Sequence, residues 1–239
     1  MQDRYTGDIG DFVKYALLRA LAPGRTLGVA WYLHPDEGPE GDGRHTEYLH
    51  RAEEWRDLDP ALYDALGTIA CGQDRSVQAV QAASLLGDAV FAAERLDVSG
   101  VPVRNRASWR RAWFERARLE LADCDLVFAD PDNGLRLDNQ FRPTVRGSTK
   151  SIPMCEVGAL SEGRPLVVYH HNTRRKGGHQ REILFWQQVL PGSVYAYYWR
   201  RWSNRTFFFV NADDELVSRI QDFEARWART KACLIGPPQ

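Results

Sequence analysis

No stretch of this chain approaches the roughly 18 to 20 consecutive apolar residues of a membrane span, so a membrane partner is not expected. Its first ten residues are polar and acidic and lack the apolar run of a secretory signal, which predicts a cytoplasmic protein. The four cysteines, Cys71, Cys124, Cys155 and Cys233, have neither the close pairing of a zinc site nor the density of a secreted disulfide framework. They read as reduced and structural. A net charge of -1 excludes a chain that announces a nucleic-acid partner by bulk charge. Internal repeats and low-complexity tracts are absent, and Gly38, Gly41 and Gly43 are too loosely spaced for a dinucleotide fingerprint.

What is present suits one α/β domain spanning 1–239. At 239 residues and 44% apolar content the chain can bury a sizeable core, and one domain with an insertion accounts for its length better than two independent cores. Charge is unevenly distributed. Residues 35–59 carry mostly acids, whereas 104–118 and 164–205 are rich in arginine, a local basic face interleaved with Trp and Tyr.

The stretch Leu126 to Leu135, LVFADPDNGL, is the one around which the rest is arranged. An apolar run of strand length ends on Asp130, and Pro131, Asp132, Asn133 and Gly134 form a turn at once. Ligands of open α/β sheets sit outside the carboxyl ends of such strands, so Asp130, Asp132 and Asn133 are candidate catalytic residues. Taken alone, the same five residues also make an ordinary turn.

Other elements place their own candidates. Gly7 to Asp11 precede an apolar helical pattern at Phe12, Val13, Ala16, Leu17 and Leu21, with Asp11 expected as N-cap and Asp8 and Lys14 beside it. Residues 26–33 read as a strand running into an acidic, glycine-rich loop that begins at His34 and contains Asp36, Gly38 and Gly41. Residues 45–87 read as an inserted helical subdomain. Strands are expected at 89–96, 101–103 and 165–170, helices at 108–121, 180–190 and 213–229, and a hairpin from 193–199 with 206–211. The strand at 165–170 ends in His170 and His171, which alternation turns to opposite faces, followed by Arg174, Arg175 and Lys176. Strands alternating with helices and closing on a hairpin imply a mostly parallel, Rossmann-like sheet with an antiparallel C-terminal hairpin and a helical insertion. The loops after Leu33, Asp130 and His170 then share one rim.

In this order the chain resembles the class I S-adenosylmethionine-dependent methyltransferase fold. More narrowly it is similar to the ribosomal RNA adenine methyltransferase group, through Gly10, Asp11 and Lys14, the loop from Leu33 to Gly43, the insertion, and Asp130-Pro131. The opening Gly-Asp-x-Gly-Asp-x-x-Lys-Tyr is also similar to that of three-cysteine-motif partner proteins. The resemblance implies S-adenosylmethionine held by Asp11, His34, Asp36, Gly38 and Gly41. It also implies an adenine amine held by Asp130 and Asn133, and a backbone phosphate of RNA or DNA positioned by Lys14, Arg174, Arg175 and Lys176. The group's Asp-Pro-Pro-Tyr reads Asp130-Pro131-Asp132-Asn133 here, so an acid and an amide replace the second proline and the aromatic.

Two other function classes remain open. Asp8, Asp11, Asp130 and Asp132 are hard ligands for Mg²⁺ or Mn²⁺, with His170, His171 or His179 as a base or a further ligand and Lys14, Arg174, Arg175 and Lys176 stabilising a phosphate, which describes a metal-dependent nuclease or phosphoesterase. LVFADPDNGL is also similar to the nucleophile loop of haloacid-dehalogenase-type phosphatases, with Asp213 and Asp214 as their late acidic pair. A non-catalytic nucleic-acid or partner-binding protein would use Tyr195, Tyr197, Tyr198, Trp199 and Trp202 beside Arg200, Arg201 and Arg205. The oligomeric state and the choice between RNA and DNA stay open.

Overall fold

The computed structural model describes residues 1–36 and 45–238. Its centre is a run of short apolar strands buried on both faces, as parallel strands covered by helices must be. These are β1 (Leu27–Trp31), β2 (Val90–Ala92), β3 (Leu126–Asp130) and β6 (Leu166–His171). A small separate pair, β4 (Gly134–Arg136) and β5 (Ser151–Pro153), leaves the turn after β3. The antiparallel strands β7 (Val194–Trp199), β8 (Arg205–Val210) and β9 (Cys233–Ile235) complete a seven-stranded sheet in the order β2-β1-β3-β6-β8-β7-β9. The chain leaves β1 for β2 on one side and later returns to β3 on the other. The strand order therefore reverses between β1 and β3, where open α/β sheets place a ligand.

Helices cover both faces. On one lie α1 (Ile9–Leu21), α3 (Pro60–Cys71) and α8 (Asp214–Trp227), packed on Trp31, Phe128, Val167, Phe207 and Phe209. On the other lie α5 (Arg106–Glu120), α6 (Met154–Leu160) and α7 (Gly178–Val189), packed on Val127, Ala129, Val168 and Phe208. The 45–87 region forms short pieces, including α2 (Ala52–Trp55) and α4 (Val77–Ala82) around α3. Tyr48, Trp55, Leu62, Leu66 and Val80 from it join the same core as α1 and α8, so the insertion has no core of its own.

Several boundaries move. Asp8, not Asp11, is the N-cap of α1: its carboxylate accepts from Asp11 N at 2.9 Å, while Asp11 reaches back to Gly7 N at 3.0 Å. The two acids cap reciprocally, which frees one Asp11 oxygen for Lys14. Residues 101–103 run into a 3-10 turn rather than a strand, and α5 starts at Arg106 with no side-chain cap. The 136–151 connection carries β5 and leads into α6, and β9 adds to the C-terminal edge; neither α6 nor β9 stands out in the sequence. Among the described residues no helix is long and apolar enough to cross a membrane, and all four cysteines are free.

Candidate functional site

A cavity of about 520 Å³ opens beneath the first turn of α1, at the carboxyl ends of β3 and β6. Strand parity decides what faces it. Leu126 and Phe128 point to the α1 face and Asp130 follows them. Val167 and Tyr169 point the same way and His171 follows; in β8, Phe209, Phe207 and then Arg205 continue the pattern. Asp130, Tyr169, His171 and Arg205 thus line one cavity together with Asp8, Asp11, Lys14, Asp132, Asn133 and Lys150. His171 and Arg205 are direct cross-strand partners.

Lys14 is the electrostatic centre. Its ammonium lies 2.8 Å from Asp11 and 2.8 Å from Asp130, and all three side chains are buried. Burial favours the neutral amine, but the two carboxylates outweigh it and hold Lys14 charged, with its pKa above the usual lysine range. The rings of Tyr15, Trp31 and Tyr169 surround it at 5.3 to 5.9 Å. Burial pushes the Tyr169 phenol up to about 12, so it remains a hydrogen-bond donor at neutral pH.

Arg205 behaves differently. It is 4% exposed, its Nη2 donates to Ser203 Oγ, and its Nε has no hydrogen-bond partner. Among the described residues it makes no ion pair with a carboxylate, although Asp8 lies near its guanidinium across Gly10; the buried Arg110 on the other face is paired with Glu156 at 2.7 Å and leaves only its Nη1 without a partner. The guanidinium lies against the first turn of α1, where a Cβ on Gly10 would fall 1.3 Å from its Nη1. Beside it, His171 is exposed at the mouth of the cavity, yet crowding by the surrounding protein and then the Arg205 charge lower its pKa, and its Nδ1 is 3.3 Å from the Tyr169 hydroxyl.

The other expected site residues are dispersed. His170 faces away from the cavity: its Nδ1 accepts from Leu135 N at 3.1 Å and its Nε2 lies 3.3 Å from Glu182. Burial lowers its pKa; it fastens the β3 turn to α7. The contact requires Gly134, at φ +90°, because a Cβ there would sit 2.4 Å from the His170 ring. Arg174, Arg175 and Lys176 are exposed in the loop before α7 and do not reach the cavity. His34 is buried with Nδ1 2.7 Å from Thr149 Oγ1, and the exposed Asp36 accepts from Arg4 N at 3.2 Å; neither lines the cavity. Gly38 and Gly41 lie outside the described residues. Asp213, the N-cap of α8, follows the end of β8 that pairs with the start of β6, on the sheet edge opposite Asp130. A dehalogenase-type acidic pair is therefore not assembled. Tyr197 and Trp199 are sealed in the core, and Trp202 packs against Trp55 at 5.4 Å.

The cofactors implied above can be tested against these contacts. At the reversal between β1 and β3, Met1 N donates to Tyr32 O at 2.9 Å and to Asp130 O at 3.1 Å, and Met1 O accepts from His34 N at 2.9 Å. The first residues fill the crevice that S-adenosylmethionine would need, so the described residues do not fit that group. The carboxylates are also committed: Asp8 caps α1, Asp11 and Asp130 hold Lys14, and Asp132 accepts from Gln2 Nε2 at 2.5 Å. Among the described residues there is no group of three or more His, Cys, Asp or Glu placed to hold a metal ion. Tyr169 and Lys150 are absent from the residues singled out by motif, Arg205 is read there only as a surface, and His171 stands second to His170; parity with Phe207 and Val167 is the signal that finds Arg205, Tyr169 and His171. No protein-family model matches the chain, and no curated protein or solved structure matches it.

Proposed function

We propose that the protein is a metal-independent phosphoesterase that binds a nucleotide, free or within an RNA or DNA strand, in the cavity beneath α1. One observation carries the reading: Arg205 is buried on the cavity wall, without a carboxylate partner among the described residues and with its Nε unpaired. A desolvated guanidinium is costly unless an anion completes it, and its planar fork matches two phosphate oxygens. The cavity volume lies within the range of small-ligand sites. Asn133 on the cavity wall supplies a two-way amide suited to the ring edge of a base.

In this reading His171, neutral at neutral pH, accepts the proton of a water that attacks phosphorus. The new P–O bond forms as the ester P–O bond breaks, and the leaving oxygen takes a proton from His171 or solvent. Arg205 stabilises the negative oxygens at the crowded phosphorus, and Lys14 offsets part of the charge of the neighbouring carboxylates. Calorimetry with a 5′-mononucleotide and turnover of a short oligonucleotide in EDTA test this. Arg205→Ala is expected to weaken nucleotide binding by about 10- to 100-fold, the worth of a charged hydrogen-bond pair. His171→Ala keeps binding and loses turnover by about 10²- to 10⁴-fold. Full activity in Arg205→Ala, or activity abolished by EDTA and restored by Mn²⁺, overturns it.

A second reading, methyl transfer from S-adenosylmethionine to a base amine, is favoured by Asp130-Pro131 at the end of β3 and by the antiparallel β8 between β6 and β7. It requires Met1 and Gln2 to leave the crevice. Titration with S-adenosylmethionine separates the two: no binding is expected, and micromolar binding lost in Asp130→Ala moves the assignment to the second.

A further inference from the structure

The cavity does not end at His171. A groove of about 260 Å³ adjoins it, and Asn133 and His171 form a wall common to both. Two arginines line the groove. Arg136, exposed at the end of β4, makes no ion pair with an acid among the described residues, and its charge is felt at His170, whose pKa it helps to lower. Arg175 lies with its guanidinium 3.7 Å from the centre of the Phe185 ring, which orients the cation without neutralising it. The acid in the groove, Glu182, is committed elsewhere: it accepts from Thr173 N at 2.9 Å and from Thr173 Oγ1 at 2.5 Å, and it faces His170 at 3.3 Å.

Several arginines on other surfaces are paired. Arg19 pairs with Asp59, Arg25 with Asp213, Arg56 with Asp64 and Arg116 with Glu94, each within 2.8 Å. Two guanidinium groups without an acid partner on the walls of one groove favour an anion there.

We propose that the groove is a second phosphate subsite, in which Arg136 and Arg175 hold the phosphate of the nucleotide adjoining the one in the cavity, so that the substrate is a strand rather than a mononucleotide. The proposal rests on the reading of the cavity given above. The wall between the two subsites carries His171, so the scissile ester lies between a phosphate on Arg205 and its neighbour on Arg136 and Arg175. A strand held at both phosphates gains affinity over one held at a single phosphate without any new chemistry.

The test compares three probes by calorimetry: a 5′-mononucleotide, the matching nucleoside diphosphate, and a 5′-phosphorylated dinucleotide with a phosphorothioate linkage that resists turnover. The dinucleotide is expected to bind at least about tenfold more tightly than the other two, which bind alike. In the double variant Arg136→Ala/Arg175→Ala the dinucleotide falls to the level of the mononucleotide, while mononucleotide affinity and melting temperature are unchanged, both side chains being exposed. Equal affinities in the wild-type protein, an advantage that survives in the double variant, or the same gain for the diphosphate each overturn the subsite and leave the cavity reading standing. Failure of all three probes to bind the wild-type protein overturns both.

Discussion

Among the described residues Lys14 makes the only ion pairs of the Asp11 and Asp130 carboxylates, and removing it leaves both buried with that pairing lost. Lys14→Met is expected to destabilise the protein by about 3–5 kcal/mol, read as a fall in melting temperature. Adding Asp130→Asn to it should recover part of the loss, since one buried charge then disappears. At His171 the sign is set by the neutral form acting as base. Its pKa is depressed from 6.5, so the neutral form persists as pH falls through 6.5 and the acid limb of kcat/KM lies below that value. A limb at or above 6.5, or one that remains in His171→Ala, assigns the proton transfer to another group. The sequence made Asp130 legible because a strand end and a turn meet there, and it made clear that His170 and His171 face opposite ways. It could not say which of them faces the site. That follows from β6 entering the sheet with Val167 toward α1, a tertiary fact, and the same fact turns Arg205 from a hairpin arginine into a cavity wall.

At the level of elements, two glycines set how closely the pieces of the site approach. Gly134→Ala places a methyl 2.4 Å from the His170 ring at a backbone angle of +90°, and should cost more than about 2 kcal/mol while separating the β3 turn from β6. Gly10→Ala acts on stability and function together. Helix α1 gains up to about 1 kcal/mol of propensity, but the new methyl occupies the position of the Arg205 guanidinium. The gain is offset by displacement of the buried guanidinium and by a 2.9 Å approach to the Asp8 cap, so the expected result is weakened nucleotide binding with the melting temperature unchanged or lowered; unaltered binding places the phosphate away from Arg205. Among the elements, β1, β3, β6, the β7–β8 hairpin and α8 were readable because each is a sustained apolar pattern with turn residues at its ends. Short or exposed elements were not. Strand β9 carries only three residues with no buried face, and the 101–103 run has β-branched residues but a central proline, Pro102, and enters a 3-10 turn.

The whole molecule has the layered α/β/α form that alternating strands and helices imply, yet its inserted region shares one core with α1 and α8. Unfolding in urea should therefore be a single transition, with tryptophan fluorescence and far-ultraviolet dichroism coincident, because Trp55 of the insertion and Trp199 and Trp227 of the main body lie in that common core. Two separated transitions would show the insertion to be an independent unit. The central pairing has a further consequence in time. Strand β1 ends at residue 31 and its partner β3 begins at residue 126, so a nascent chain made at about 5–20 residues per second carries β1 for about 5 to 20 s before β3 exists. Strand β8 arrives later still, inserting between β6 and β7 and bringing Arg205 with it. A growing chain therefore builds the acidic half of the cavity first and receives the arginine last, so that a chain stopped before residue 205 carries the carboxylates of the site without the cation assigned to its substrate.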